Sequence, residues 1–168
     1  NRDGRLDIIV ANDQSNDTSI FLSSGQRGFA PACPIPVGRK AGLVITQDLN
    51  LDGRPDFAVA SAETRDVSVF LQKPPGSPTP GTLPPCSTFA ASFRGLTPLS
   101  LPGTPQALVV GSFDLSDAIP DLAVAMSAAA GNGSFVVFLG RAGSAGEVSY
   151  QQQNPVAVPV PSGAVQRS

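Results

Sequence analysis

Residues 48–56 read Asp-Leu-Asn-Leu-Asp-Gly-Arg-Pro-Asp, and this stretch decides the fold predicted for the rest of the chain. Oxygen-bearing side chains stand at its first, third, fifth and ninth positions, and glycine stands at the sixth, where the backbone must turn sharply. Ca²⁺ prefers about six to eight oxygen ligands in a flexible shell, and alternate residues of a tight loop can supply them. The spacing therefore predicts a calcium loop. The predicted ligands are the side chains of Asp48, Asn50, Asp52 and Asp56 and the carbonyl oxygen of Arg54.

The same residues also fit a polar turn in which Asp and Asn side chains only cap their own backbone. Four oxygen donors in register with a glycine favour the calcium loop over that alternative. The segment begins like an EF-hand loop, but it closes with Asp56 and runs into Phe-Ala-Val-Ala at residues 57–60. Because a short apolar run of this kind is typical of a buried strand, the loop is predicted to connect strands and not helices.

The loop pattern occurs twice more in the chain, each time followed by a four-residue apolar run. Residues 1–7 repeat the last seven positions of the loop, and residues 114–121 form a shortened third copy. The closing aspartates Asp7, Asp56 and Asp121 are separated by 49 and 65 residues. Self-similarity on this scale is typical of propellers, solenoids and arrays.

The two outer copies lack parts of the loop. The first copy keeps three ligand positions, Asn1, Asp3 and Asp7, and we expect it to bind calcium only where a residue from outside the chain completes the site. In the third copy Asp114 and Asp121 stand seven positions apart, where the intact loop has eight, and Ala118 is the nearest counterpart of the glycine. A hydrogen-bonded turn without metal is the prediction there.

The loop, the apolar strand after it, the run Val-Ser-Val-Phe-Leu at residues 67–71 and the glycine-rich turn to an aromatic at residues 25–29 carry a family resemblance. The chain resembles FG-GAP or VCBS-type repeats, the calcium-loop blades of integrin-alpha-like β-propellers, over essentially its whole length. The resemblance implies an all-β fold of propeller blades with four antiparallel strands each. It also implies Ca²⁺ as the bound ion and a location outside the cell or at the cell surface, where calcium is abundant.

The predicted blade units divide the chain into three parts and the start of a fourth: approximately residues 1–40, 41–104 and 105–161, with 162–168 opening the next blade. Three blades form an open arc, because propellers typically close with about four to eight. We therefore expect a longer propeller chain, or identical chains that close a ring or extend an array. In the second unit, residues 72–85 are predicted to form a proline-rich surface insertion and residues 88–101 to supply the outer strand.

The composition limits the function. The chain has 168 residues, a net charge of −2 and no histidine. The absence of a basic cluster argues against nucleic-acid binding, and no apolar run approaches a membrane span. An enzyme is not expected, because the commonest general base is absent. Cys33 and Cys86 fit no metal spacing, and they either pair in an oxidising compartment or remain two unrelated thiols.

The function predicted from the sequence is a non-catalytic, calcium-binding scaffold for adhesion or assembly, whose protein or glycan partner the sequence does not identify. One alternative is a lectin-like propeller that binds carbohydrate through exposed aromatic residues. Its candidates are Phe29, Phe93 and Tyr150, which could equally act as hydrophobic pegs between blades. The other alternative is a subunit that assembles with itself into a ring or filament.

Overall fold

A computed structural model of the protein describes residues 1, 3–25, 28–73, 83–114, 116–127, 133–144 and 147–158. These residues form three antiparallel sheets and one short helix. The predicted all-β class is confirmed. No helix among the described residues has the length and apolar character needed to cross a membrane.

Most consecutive strands pair side by side, because short connections bring chain neighbours together, but the last short strand of the second and third sheets pairs with the strand two before it in the chain. Sheet 1 contains β1 (Ile8–Asn12), β2 (Asp17–Phe21) and β3 (Cys33–Pro36). Sheet 2 contains β4 (Ala41–Gln47), β5 (Asp56–Ser61), β6 (Asp66–Gln72), β7 (Phe93–Gly95) and β8 (Leu99–Ser100), with α1 (Cys86–Ala90) between β6 and β7. Sheet 3 contains β9 (Thr104–Gly111), β10 (Asp121–Ser127), β11 (Gly133–Ala142), β12 (Val148–Gln152) and β13 (Val156–Val158).

The outer strand predicted at residues 88–101 is wrong in its first part. The segment begins within helix α1, and only two short strands, β7 and β8, pair with β6 farther along. Pro85 caps the helix start with a φ of −54°, and its carbonyl accepts a hydrogen bond from the amide of Phe89 at 2.9 Å. The helical turn buries Phe89 against Phe93, with 5.5 Å between the ring centroids. Two other predicted features, most of the insertion at 72–85 and the segment 162–168, lie outside the described residues.

Sheet 2 lies between the other two sheets and is covered on both faces. Strand β5 is buried along its whole length, and its alternating side chains enter two different hydrophobic clusters. Ala58 and Ala60 pack with the apolar side chains of sheet 3, whereas Phe57 and Val59 pack with those of sheet 1. The sheets are therefore stacked in chain order, and most of the core lies on the two faces of sheet 2.

The outer faces of sheets 1 and 3 remain apolar. On sheet 1, Ile8 is 44% exposed and Val10 is 39% exposed. On the sheet 3 side, Val109 of β9 and Phe113, two residues after that strand, are about half exposed, and Phe113 lines a shallow cleft of about 220 Å³ together with Val137. Both ends of the stack thus present apolar side chains to solvent.

Three aromatic side chains on the sheet 1 side of β5 allow the packing between sheets 1 and 2 to be tested by mutation. Phe57 stacks on Phe70 at 4.7 Å between centroids and meets the edge of Phe93 at 5.1 Å. We expect Phe57→Ala to lower the free energy of unfolding by about 3–5 kcal/mol, because it opens a cavity between two sheets. Phe29→Ala is the control, since that ring is 48% exposed, and it should cost less than about 1 kcal/mol. Urea unfolding measures both, and equal losses would contradict the stacking.

Candidate metal centre

The loop between β4 and β5 is held in a fixed shape by its own backbone. Leu49 is fully buried in the cluster between sheets 2 and 3 and anchors the start of the loop. Leu51 and Gly53 both have positive φ, 59° and 79°, which allows the sharp turn. A Cβ at Gly53 would meet nothing within 4 Å, so glycine is favoured there by its backbone conformation and not by lack of space.

The acidic side chains of this loop accept hydrogen bonds from its backbone amides. Asp48 accepts from the amides of Asp52 at 3.0 Å and Gly53 at 2.8 Å. Asp52 accepts from the amide of Arg54 at 2.9 Å and from the side-chain amide of Asn50 at 2.8 Å. The structure thus places these predicted ligands within one turn, in the arrangement that the capping alternative also predicts.

Asp56, the closing residue of the loop, is a buried carboxylate that is 1% exposed. Its Oδ2 accepts from the amide of Leu49 at 2.8 Å, and its Oδ1 accepts from the amide of Gln72, at the end of β6, at 2.7 Å. Burial raises its pKa to about 6, against the lowering effect of these two hydrogen bonds, and the nearby charges of Asp52 and Asp48 raise it further. The charged form of this side chain is therefore disfavoured mainly by loss of hydration, and the negative charge of the two other carboxylates adds a smaller effect.

A cation from the loop itself neutralises part of that charge. The guanidinium of Arg54 pairs with the carboxylate of Asp52, and its Nε donates to the carbonyl of Gln72 at 3.0 Å. This side chain was not assigned a role from the sequence, where only the carbonyl of Arg54 was expected to act. The arginine two positions after an acidic residue was the available signal, because both side chains lie on the same side of a tight turn.

The first loop reproduces this arrangement. The amide of Asp3 donates to Asn1 at 3.3 Å, the amide of Arg5 donates to Asp3 at 2.9 Å, and the Arg5 guanidinium pairs with Asp3 at 3.1 Å. Gly4 has the same φ of 79° as its counterpart in the second loop. Asp7 accepts from the amide of Ser23 at 2.8 Å. The predicted residues Asn1, Asp3 and Asp7 thus adopt the geometry of the matching part of the second loop.

The third loop is a hydrogen-bonded turn with its own cation. Asp114 accepts from the amide of Ser116 at 3.2 Å, and Asp117 accepts from the amide of Ile119 at 3.0 Å. Arg141, in β11, pairs with Asp114 at 2.7 Å and with Asp117 at 3.7 Å. Its guanidinium holds the pKa of the Asp114 carboxyl below the usual range. The sequence did not reveal Arg141, because it lies 27 residues after Asp114 and the contact depends on strand register.

The residues of the second loop fit a hard divalent cation by donor type. All five predicted donors carry oxygen, and three of them are carboxylates. Within the described ranges, no three acidic, cysteine or histidine side chains are gathered as a metal-ligand group. The three carboxylates of the second loop, Asp48, Asp52 and Asp56, therefore do not converge into such a group in this structure. The raised pKa of Asp56 reflects mainly its burial and, to a smaller extent, the charges of Asp52 and Asp48, and a bound cation would offset that smaller, repulsive part.

A cleft of about 390 Å³ lies between the first and second loops. Asp7, Asp56 and Gln72 line its polar part, and the Gln72 Oε1 atom has no hydrogen-bond partner in the part of the chain that is described. Of the aromatic residues considered for carbohydrate binding, Phe93 is packed against two other phenylalanines and Tyr150 packs against the core with its hydroxyl buried. Only Phe29 of that set is exposed, at 48%.

Comparisons with protein-family models, with curated proteins and with solved structures gave no match to this chain.

The buried Asp56 predicts a specific pH dependence in the metal-free protein. Its folded pKa of about 6 lies above the ordinary 3.8, so its protonated form favours folding. That contribution is complete below the ordinary pKa and is lost as the pH rises through about 6. We therefore expect this group to stabilise the fold by up to about 3 kcal/mol as the pH falls from 7 toward 4.

Urea unfolding of chelator-treated protein across this pH range measures the effect. The control is Asp56→Asn, which cannot titrate and should show a flatter dependence, although it is less stable at every pH because an amide cannot accept both backbone hydrogen bonds. Parallel curves for the two proteins would contradict the assignment.

Proposed function

We propose that this chain is a non-catalytic, calcium-stabilised segment of a β-propeller that serves as a scaffold for adhesion or assembly, outside the cell or at its surface. The observation that carries the proposal is the acidic loop before β5, whose closing residue Asp56 is buried at the start of that strand and is near enough to Asp52 and Asp48 for their charges to raise its pKa. A cation bound there would stabilise the junction between the loop and the strands that form the core. The role of this cation would be structural and not catalytic, because the carboxylates that would bind it also hold the loop in place by accepting hydrogen bonds from backbone amides.

The propeller arrangement is supported by how the sheets are built and stacked. Sheets 2 and 3 run as antiparallel meanders of four strands in chain order, with one extra short strand each. The first strand of sheet 2, β4, contacts β1 on one side and β9 on the other, as expected for blades whose inner strands approach most closely. The apolar outer faces of sheets 1 and 3 are surfaces that further blades would cover.

Calcium is the cation that the loop chemistry favours. Oxygen donors spaced along a strongly turned loop suit the irregular ligand shell of Ca²⁺ better than Mg²⁺, which demands near-ideal octahedral geometry. The third loop serves as an internal contrast, because Arg141 already bridges two of its carboxylates. In the second loop Arg54 pairs with Asp52, whereas Asp48 accepts hydrogen bonds from two backbone amides. We therefore assign calcium to the second loop and to a completed first loop.

Calcium should raise the melting temperature of the chelated protein. Extracellular calcium modules bind with dissociation constants of about 0.1–1 mM, so 10 mM calcium would stabilise the fold by about 1–3 kcal/mol. For a chain of this size that corresponds to a shift of roughly 3–10 °C in a thermal melt followed by circular dichroism. Magnesium at the same concentration should give a smaller shift.

Two matched variants locate the effect. Asp48→Asn removes one carboxylate charge from the second loop and should abolish most of the calcium-dependent shift. Asp114→Asn makes the same change at the equivalent position of the third loop, where Arg141 supplies the cation, and should retain the shift. No calcium-dependent shift in the unmodified protein, with metal removal verified by elemental analysis, would defeat the proposal.

Self-assembly is the second candidate, and the apolar end faces favour it. Sheet 1 exposes Ile8 and Val10 at one end of the stack, and sheet 3 exposes Val109 and Phe113 at the other. Faces at opposite ends, if complementary, allow head-to-tail contacts that either close a ring or extend a filament. In such a ring or filament, further copies of the chain would act as the neighbouring blades.

Light scattering tests self-assembly directly. We expect a mass above the 17.1 kDa of one chain for the unmodified protein. Val10→Asp and Val137→Asp place a charge on opposite end faces and should each return the mass to that of a monomer. Gln14→Asp adds the same charge in an exposed turn and should leave the assembly unchanged. A monomeric unmodified protein would rule out this candidate and leave the first one standing.

A further inference from the structure

The only two cysteines of the chain meet at the outer rim of the interface between sheets 1 and 2, although 53 residues separate them. Cys33 is the first residue of β3, the last strand of sheet 1. Cys86 is the first residue of α1, which connects β6 and β7 of sheet 2. Strand β3 and helix α1 are in contact. Both side chains belong to the cluster that also holds Phe89, and Cys33 is 2% exposed. The fold, and not local sequence, brings the cysteines together.

A contact of the Cys86 sulfur places that thiol next to the start of β3. The Cys86 thiol donates to the carbonyl of Ala32, the residue before Cys33, with 3.7 Å between sulfur and oxygen. The Cys86 side chain thus lies against the backbone that leads into Cys33. Both are free thiols in this structure. A structural zinc site would need about four ligands, and no third acidic, cysteine or histidine ligand joins them in the described part of the chain.

We propose that Cys33 and Cys86 form an intramolecular disulfide that fastens the edge of sheet 1 to the helix of sheet 2. Strand β3 is an edge strand of sheet 1, and its Pro34 and Pro36 have no amide hydrogen to donate to a neighbouring strand. A covalent bond at that edge compensates for the missing hydrogen bonds. It also requires an oxidising compartment, which is consistent with the extracellular location proposed above but does not depend on calcium.

The oxidation follows thiol–disulfide exchange with a low-molecular-weight disulfide such as oxidised glutathione. The Cys86 thiolate attacks one glutathione sulfur, forms a mixed disulfide and releases one glutathione thiolate. The Cys33 thiolate then attacks the Cys86 sulfur, forms the protein disulfide and releases the second glutathione. Two thiol protons leave, and the two electrons reduce the glutathione disulfide. Cys86 reacts first because it is partly exposed, whereas burial and the adjacent Cys86 raise the pKa of the Cys33 thiol to about 12.

The test incubates the folded full chain in a glutathione redox buffer and then alkylates it in denaturant without reductant. Mass spectrometry should find no alkylated cysteine and, after proteolysis, one peptide pair joined through Cys33 and Cys86. Two alkylated cysteines would overturn the proposal. So would a disulfide-linked dimer on a non-reducing gel, because it would show that the sulfurs react between chains and not within one.

The thermal stability of the same samples gives a second readout. The closed loop of about 53 residues predicts that reduction lowers the melting temperature by roughly 10 °C, in calcium and in chelator alike. Cys86→Ser should remove this sensitivity to reductant. Cys33→Ser should instead trap glutathione on Cys86 as a stable mixed disulfide, and if this buried substitution prevents folding, Cys33→Ala replaces it. A melting temperature unaffected by reductant, in protein shown to be oxidised, would refute the proposed fastening role.

Discussion

The paired hydrogen bonds of the Asp56 carboxylate hold the acidic loop and the central sheet together. One oxygen fixes the start of the loop through the amide of Leu49, and the other fixes the end of β6 through the amide of Gln72. Asp121 makes the equivalent pair of bonds in sheet 3. A buried amide without an acceptor costs stability, so one carboxylate that satisfies two amides joins three parts of the chain at little conformational cost. The loop can turn sharply because its end is fixed in the core.

In each of the three loops an arginine offsets part of the negative charge of the carboxylates, but the number of carboxylates that it contacts differs. In the first two loops the arginine comes from the loop itself and pairs with the acidic residue two positions earlier. In the third loop Arg141 comes from a neighbouring strand and reaches two carboxylates. A guanidinium that contacts two carboxylates reduces the need for a metal, as Arg141 does in the third loop. In the second loop Arg54 pairs with Asp52 and does not neutralise the charges of Asp48 and Asp56. The difference in arginine position is thus the physical basis for assigning calcium to the second loop and not to the third.

The strands could be predicted from the sequence because their cause is local. Runs such as 57–60 are apolar, short and bounded by turn residues, and the structure forms β5 there. The helix Cys86–Ala90 could not be predicted in this way, since its stability depends on burying Phe89 between sheets. Arg141 was missed for a similar reason, because its contact with Asp114 is set by the register of β11. The ligand spacing of the second loop was readable as a pattern, but a pattern alone does not distinguish a metal site from a self-capped turn.

The three sheets differ in how many of their faces are covered by a neighbouring sheet, and this difference connects the fold with the proposed role. Sheet 2 has a neighbour on each face, whereas sheets 1 and 3 each have one covered face and one apolar face in solvent. Burying those outer faces would yield free energy in proportion to their apolar area, so the stack gains stability from whatever blade or copy covers them. Strand β3 gains less from such a neighbour, because its prolines weaken the edge and not the face. Burial of the outer face and the disulfide proposed at the rim would therefore stabilise different parts of the same sheet.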